Sequence, residues 1–131
     1  MNEMNSQLEI LVLDDEEIVC ARLKPALEKE GYRVETFTDS LGAKQRLQEH
    51  NFDIVVTDLK MAEVDGLALL RFVKATRPET RVIIISGFAT VDVTREAFQT
   101  GVCDVIAKPF KISKLKDVIK RVAAECRPSE T

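Results

Sequence analysis

The sequence predicts an α/β domain built on a doubly wound, five-stranded parallel sheet. Three observations predict it. Five short apolar runs alternate with five segments of helical length and period, the pattern that right-handed crossovers turn into a sheet with helices on both faces. Two of the runs, Ile54-Val55-Val56 and Val82-Ile83-Ile84-Ile85, are continuously apolar, as strands covered on both sides must be. The length of 131 residues allows one domain, large enough to fold on a hydrophobic core alone.

In chain order, Leu8 to Leu13 reads as the first strand. Glu16 to Glu30 follows as a helix with Val19, Leu23, Ala26 and Leu27 on one face, stopped by Gly31. Pro25 lies inside it, where the missing N–H and the ring clash cost roughly 3 kcal/mol, so a kink or a start later than Glu16 is expected. Tyr32 to Phe37 is the second strand, and Ser40 is the expected N-cap of a helix over Leu41 to His50. Asp53 to Thr57 is the third strand. Gly66 to Thr76 carries Leu67, Leu70 and Val73 at helical spacing before Pro78 breaks the chain. Arg81 to Ile85 is the fourth strand, Thr90 to Thr100 a helix closed by Gly101, and Cys103 to Ile106 the fifth strand. Ser113 to Glu125 completes the chain with Leu115, Val118, Ile119 and Val122 on one stripe and Ile112 just before it. The domain is thus expected over residues 8–125, with a poorly ordered polar N-terminus (1–7) and a tail or linker start (126–131) outside it.

Composition removes several classes of function. A hydrophobic fraction of 45% and a charged fraction of 31% describe a globular chain, and a net charge of -3 gives no global pull toward nucleic acid or anionic membranes. Charge is nevertheless segregated: residues 1–17 hold Glu3, Glu9, Asp14, Asp15, Glu16 and Glu17 with no base. Lys108 to Arg121 holds six bases against Asp117, a pattern that fits a solvated outer helix face better than a nucleic-acid patch. Cys20, Cys103 and Cys126 are odd in number and far apart, so they read as packing residues in a reducing compartment. Without a signal-like N-terminus or a spanning apolar run, a cytoplasmic location and no membrane contact are expected. Dinucleotide and P-loop glycine motifs are missing, and the one histidine, His50, lies near a helix end, so a Ser-His-Asp triad has no support.

In an open parallel sheet, ligands bind outside the carboxyl ends of the strands. Asp14 and Asp15 follow the first strand, Asp58 the third, Ser86 the fourth, and Lys108-Pro109 the fifth. Each has an ordinary explanation alone, as a helix cap, turn residue or strand terminator. Together they place three carboxylates, a hydroxyl and an ammonium on one edge. Clustered carboxylates call for a proton or a cation, and oxygen ligands of this kind suit Mg²⁺, which keeps waters available for a phosphate. A carboxylate can then act as nucleophile toward a phosphoryl group, and Asp58, on the central strand between the acidic pair and Lys108, is the best placed.

These residues resemble the receiver domain of two-component response regulators. The likeness runs from about Leu8 to Arg121 and rests on Leu11-Val12-Leu13-Asp14-Asp15-Glu16, on Asp53-Ile54-Val55-Val56-Thr57-Asp58-Leu59-Lys60-Met61 through Asp65-Gly66, on Ile85-Ser86-Gly87, on Ala97 to Asp104, and on Lys108-Pro109-Phe110. The Ser86-to-Lys108 spacing and the Ala-x-x-x-Gly segment are most similar to receivers of the nitrogen-regulation type. The resemblance implies a CheY-like, flavodoxin-like (βα)5 fold with strand order 2-1-3-4-5. It also implies that Asp58 takes phosphate from a sensor histidine kinase or phosphotransfer protein and that Mg²⁺ (or Mn²⁺) is held by Asp15 directly, by Asp14 through water, by Asp58 and by the Lys60 backbone carbonyl. Lys108 and Ser86 would contact the phosphoryl, and Lys108-Pro109 would be a cis peptide. The chain would be a switch rather than a turnover enzyme, acting on an output domain or downstream protein and forming a homodimer on phosphorylation, with no direct nucleic-acid binding.

Three departures from the family pattern carry expectations. The position three before the lysine, usually aromatic, is Val105, so coupling must run through the loop after the fourth strand and the fourth helix or be weak. Ala62 replaces a common proline, which should loosen the acceptor loop, and Lys60 and Phe88 stand at the two positions that modulate phosphate lifetime in the family. Two other readings compete: a phosphorylation-independent interaction module, and a haloacid-dehalogenase-like phosphatase, which would use Asp14 as nucleophile.

Overall fold

The protein is described from a computed structural model covering residues 7–59, 65–87 and 89–126, the Cys126 side chain excepted. The expectations for Lys60, Ala62 and Phe88, and most of those for the two terminal segments, lie outside these residues.

The order is β1 (Glu9–Leu13), α1 (Glu17–Glu28), β2 (Arg33–Phe37), α2 (Ser40–Glu49), β3 (Ile54–Asp58), α3 (Gly66–Thr76), β4 (Arg81–Ser86), α4 (Val91–Thr100), β5 (Asp104–Ala107) and α5 (Ile112–Cys126). All five strands are parallel in one sheet of order β2-β1-β3-β4-β5. Chain order therefore reverses between β1 and β3, which opens a crevice at their carboxyl ends.

The period of two along each strand divides the core into two layers. Ile10, Val12, Ile54, Val56, Ile83, Ile85 and Ile106 pack with Leu23, Leu27, Leu115, Ile119 and Val122 of α1 and α5. Leu11, Leu13, Val55, Val82 and Ile84 pack instead with Leu47, Leu69, Leu70, Val73 and Ala97 of α2, α3 and α4. This double covering is why the β3 and β4 runs are apolar without alternation. Continuing the same parity past the strand ends sends Asp14, Asp58 and Lys108 toward the α1/α5 side, whereas Ser86 points toward the side of α3 and α4.

Two local expectations are corrected, and a third, the later start of the first helix, is met. Asp39, not Ser40, caps α2: its carboxylate accepts from the Gly42 N–H at 2.9 Å, and Ser40 is the first helical residue. The third and fourth strands each extend one residue further, so Asp58 and Ser86 are their last residues rather than the first residues of loops. Helix α1 starts at Glu17 and runs on through Pro25 into its last turn, ending before Gly31, whose φ of 97° only glycine adopts readily.

Candidate functional site

Asp14 leaves β1 fully buried, its N–H bonded to the Phe37 carbonyl at 3.0 Å. Its Oδ1 accepts from the Glu16 N–H at 2.9 Å, so the carboxylate folds the chain back into the start of α1. Asp15, between them, is exposed. Asp58 ends β3 at 7% exposure, with Oδ1 accepting from the Leu59 N–H at 2.7 Å. Oxygens of Asp14, Asp15 and Asp58 come within 4.8 Å of one another. From the far side, Lys108 reaches over: its Nζ lies 2.8 Å from Asp14 Oδ2 and donates to Asp58 Oδ2 at 3.1 Å. The Lys108 N–H donates to the Ser86 carbonyl at 2.8 Å, tying the lysine to the end of β4, and the Lys108-Pro109 peptide is cis. The geometry thus brings Asp14, Asp15, Asp58 and Lys108 together, with Ser86 at the end of the neighbouring strand.

Gly66 closes this arrangement from below. Its N–H donates to the Leu59 carbonyl at 2.7 Å, tying the start of α3 to the residue after β3. A Cβ there would lie 2.5 Å from the Asp58 carbonyl oxygen and 2.8 Å from Leu59 Cα, so glycine is what lets α3 begin against the end of β3. Asp65 caps that helix through the Ala68 N–H at 2.9 Å.

Burial pushes the Asp14 carboxyl up, as does the neighbouring Asp58 charge, although Lys108 and the Glu16 N–H oppose the shift. For Lys108, burial works against the charge, but contacts with Asp14, Asp58 and Glu16 together outweigh it and hold the ammonium above its usual range. Cys20 packs beneath, its Sγ 3.5 Å from the Asp14 carbonyl. Burial, with the Asp14 charge, raises its thiol and keeps it an inert packing residue.

The donor set fits a hard divalent cation. Asp14 Oδ2 is buried and, despite its ion contact with Lys108, takes part in no aligned hydrogen bond, so a lone pair is open. Three carboxylates with one exposed member match the oxygen-rich, partly hydrated coordination that Mg²⁺ prefers.

The one histidine of the sequence lies elsewhere. His50 caps the C-terminus of α2, hydrogen-bonds Glu9 and stacks edge-on against Phe52 at 4.9 Å, well away from the acidic edge. It borders a cavity of about 630 Å³ lined by Tyr32, Arg33, Glu35 and Arg46, which contains none of the site residues. One residue was missed as a participant: the Glu16 carboxylate accepts from Lys108 at 3.2 Å. Nothing in the sequence pairs residues 92 positions apart; only the acidic run beside Asp15 hinted at it.

Residues 10–120 match the response regulator receiver domain family. The transcriptional regulatory protein ZraR of Klebsiella oxytoca is 35% identical over 125 residues, which are 95% of this chain and 28% of that protein. The response regulator receiver protein CpdR of Brucella abortus is 34% identical across 86% of this chain and 94% of its own length. This chain therefore spans little more than a quarter of ZraR and nearly all of CpdR. Among solved structures, the beryllofluoride-activated NtrC4 receiver domain dimer superposes with a TM-score of 0.85 at 32% identity, covering 90% of this chain and 98% of that one. With five parallel strands in the order 2-1-3-4-5 and an acidic edge opposed by one lysine, the chain belongs to the response regulator receiver domains of two-component systems.

Proposed function

We propose that the protein is a phosphoacceptor switch in which Asp58 takes a phosphoryl group from a histidine kinase or phosphotransfer protein. The observation that carries this reading is Asp58 itself, held at the switch point of the sheet between two further aspartates and the Lys108 ammonium. Asp14, Asp15 and Asp58, with the Lys60 backbone carbonyl, would hold Mg²⁺ or Mn²⁺. Such an ion supplies charge neutralisation on the phosphoryl oxygens.

The chain's own residues do the rest. An oxygen of Asp58 forms the bond to phosphorus as the donor's N–P bond breaks, and the electron pair of that bond returns to the leaving imidazole. Lys108 exchanges its contact with Asp58 for one with the phosphoryl, stabilising charge there. Ser86 hydrogen-bonds the same group and draws the segment between β4 and α4 inward, favouring one of two preexisting states. Val105, half-buried against the α2/α3/α4 layer, brings no aromatic ring to swing inward. The change therefore passes through Ser86 to α4, where Val91 and Phe98 are 73% and 48% exposed. Lys60 and Phe88 would set the phosphate's lifetime.

The test is Asp58→Asn. With acetyl phosphate and Mg²⁺ the variant keeps the native circular dichroism spectrum and acquires no stable label, whereas a labelled variant contradicts the reading. Val105 also favours a second reading, an interaction module indifferent to phosphorylation. It gains if beryllofluoride with Mg²⁺ leaves both spectra and molecular mass unchanged.

A further inference from the structure

Three carboxylates surround the single ammonium of Lys108, but only two of them belong to the acceptor site. Asp14 and Asp58 are buried, whereas the third, Glu16, reaches Nζ at 3.2 Å with 58% of its side chain exposed. Glu16 is the N-cap of α1, yet its side chain makes no capping bond. Its backbone N–H is fixed by Asp14 Oδ1 at 2.9 Å, which leaves the side chain directed at Lys108. Of the three carboxylates in ionic contact with that ammonium, Asp58 and Glu16 accept hydrogen bonds from it, at 3.1 and 3.2 Å, so Glu16 shares the N–H donors of Lys108 with the acceptor.

We propose that Glu16 is a positioning residue that restrains Lys108 in the resting state and retards the entry of anionic phosphodonors. The proposal rests on the reading of Asp58 as acceptor. A phosphoryl group arriving at Asp58 must recruit Lys108, and Glu16 competes for the same donors. Its charge also adds to an edge that already sets Asp14, Asp15 and Asp58 against one ammonium. Two ionic contacts through Nζ separate the Glu16 carboxylate from that phosphoryl by about 6 Å, close enough for a unit charge to act on a dianion but far enough for salt to screen it.

Glu16→Gln keeps the shape and removes the charge. With Mg²⁺ at low ionic strength, the rate at which acetyl phosphate labels Asp58 rises about three- to tenfold, and the gain falls toward unity as salt is added. Beryllofluoride binding, which involves no bond breaking in a donor, tightens by a similar factor. The control is Glu17→Gln, an identical charge change one residue on, where the side chain is exposed and makes no contact with Lys108. It changes the rate less than about twofold. Equal gains in the two variants, or an unchanged or slower Glu16→Gln protein, overturn the restraint by Glu16. Wild-type protein that takes up no label at Asp58 overturns the acceptor reading, and the restraint with it.

Discussion

At the residue scale, the site is a small electrostatic balance, and Lys108 is its pivot. Removing the ammonium strands Asp14, whose side chain is fully buried, beside Asp58. Breaking a fully buried pair costs roughly 3–5 kcal/mol. Because the Lys108 side chain is 18% exposed, water softens the loss, and Lys108→Ala should be destabilised by about 2 kcal/mol at pH 7. Burial already raises the Asp14 carboxyl above its ordinary 3.8, and loss of Lys108 raises it further. A group whose folded-state affinity for the proton exceeds its unfolded one favours the folded state as pH falls. The deficit should therefore be full at neutral pH and shrink as pH falls through the raised Asp14 value. Millimolar Mg²⁺ should also restore more stability to the variant than to wild type. Thermal melts across pH, with and without Mg²⁺, check both; a pH-independent deficit indifferent to Mg²⁺ is the adverse result. Chain order revealed Asp14, Asp15, Asp58 and Lys108 in the sequence, because each stands at a strand's carboxyl end. Glu16 was hidden because its role depends on the reach of two flexible side chains from opposite ends of the chain.

At the scale of elements, the start of α2 was legible as a type of residue but not as the residue. Asp39 and Ser40 are adjacent and both good caps; which one turns its oxygen back to the Gly42 N–H depends on where β2 releases the chain. Pro25, by contrast, removes one hydrogen bond to the turn before it, yet α1 runs through it to Glu28, so this breaker marks neither end of the helix. The junction of β3 and α3 fixes the position of the proposed acceptor. Alanine at Gly66 gains about 1 kcal/mol of helix propensity. Against this, its Cβ would meet the Asp58 carbonyl oxygen at 2.5 Å and Leu59 Cα at 2.8 Å, backbone atoms that no side-chain rotation can move away. The clash wins: Gly66→Ala should lose about 2 kcal/mol in urea unfolding and label more slowly with acetyl phosphate, since the relieving shift displaces Asp58. A variant as stable and as reactive as wild type would show that the junction is softer than this packing implies.

For the whole molecule, the doubly wound sheet assigns different tasks to its two layers. The α1/α5 layer faces Asp14, Asp58 and Lys108, while Ser86 opens toward the layer containing α4, so the proposed acceptor and the proposed switch residue face opposite sides of one sheet. The fold itself was almost wholly legible, because five apolar runs separated by helical periods leave a parallel sheet as the way to bury them. The readout was less so: Val105 breaks the usual pattern, and the exposure of Val91 and Phe98 depends on how α4 packs. Pairing of activated molecules through α4, β5 and α5 should appear in light scattering as a doubled mass when beryllofluoride and Mg²⁺ are added, and an unchanged mass counts against it. All of this depends on one bond. The most direct test treats the wild-type protein with acetyl phosphate and Mg²⁺ and locates the added phosphoryl by peptide mass mapping. The account predicts it on Asp58; a phosphoryl group on Asp14 would contradict it.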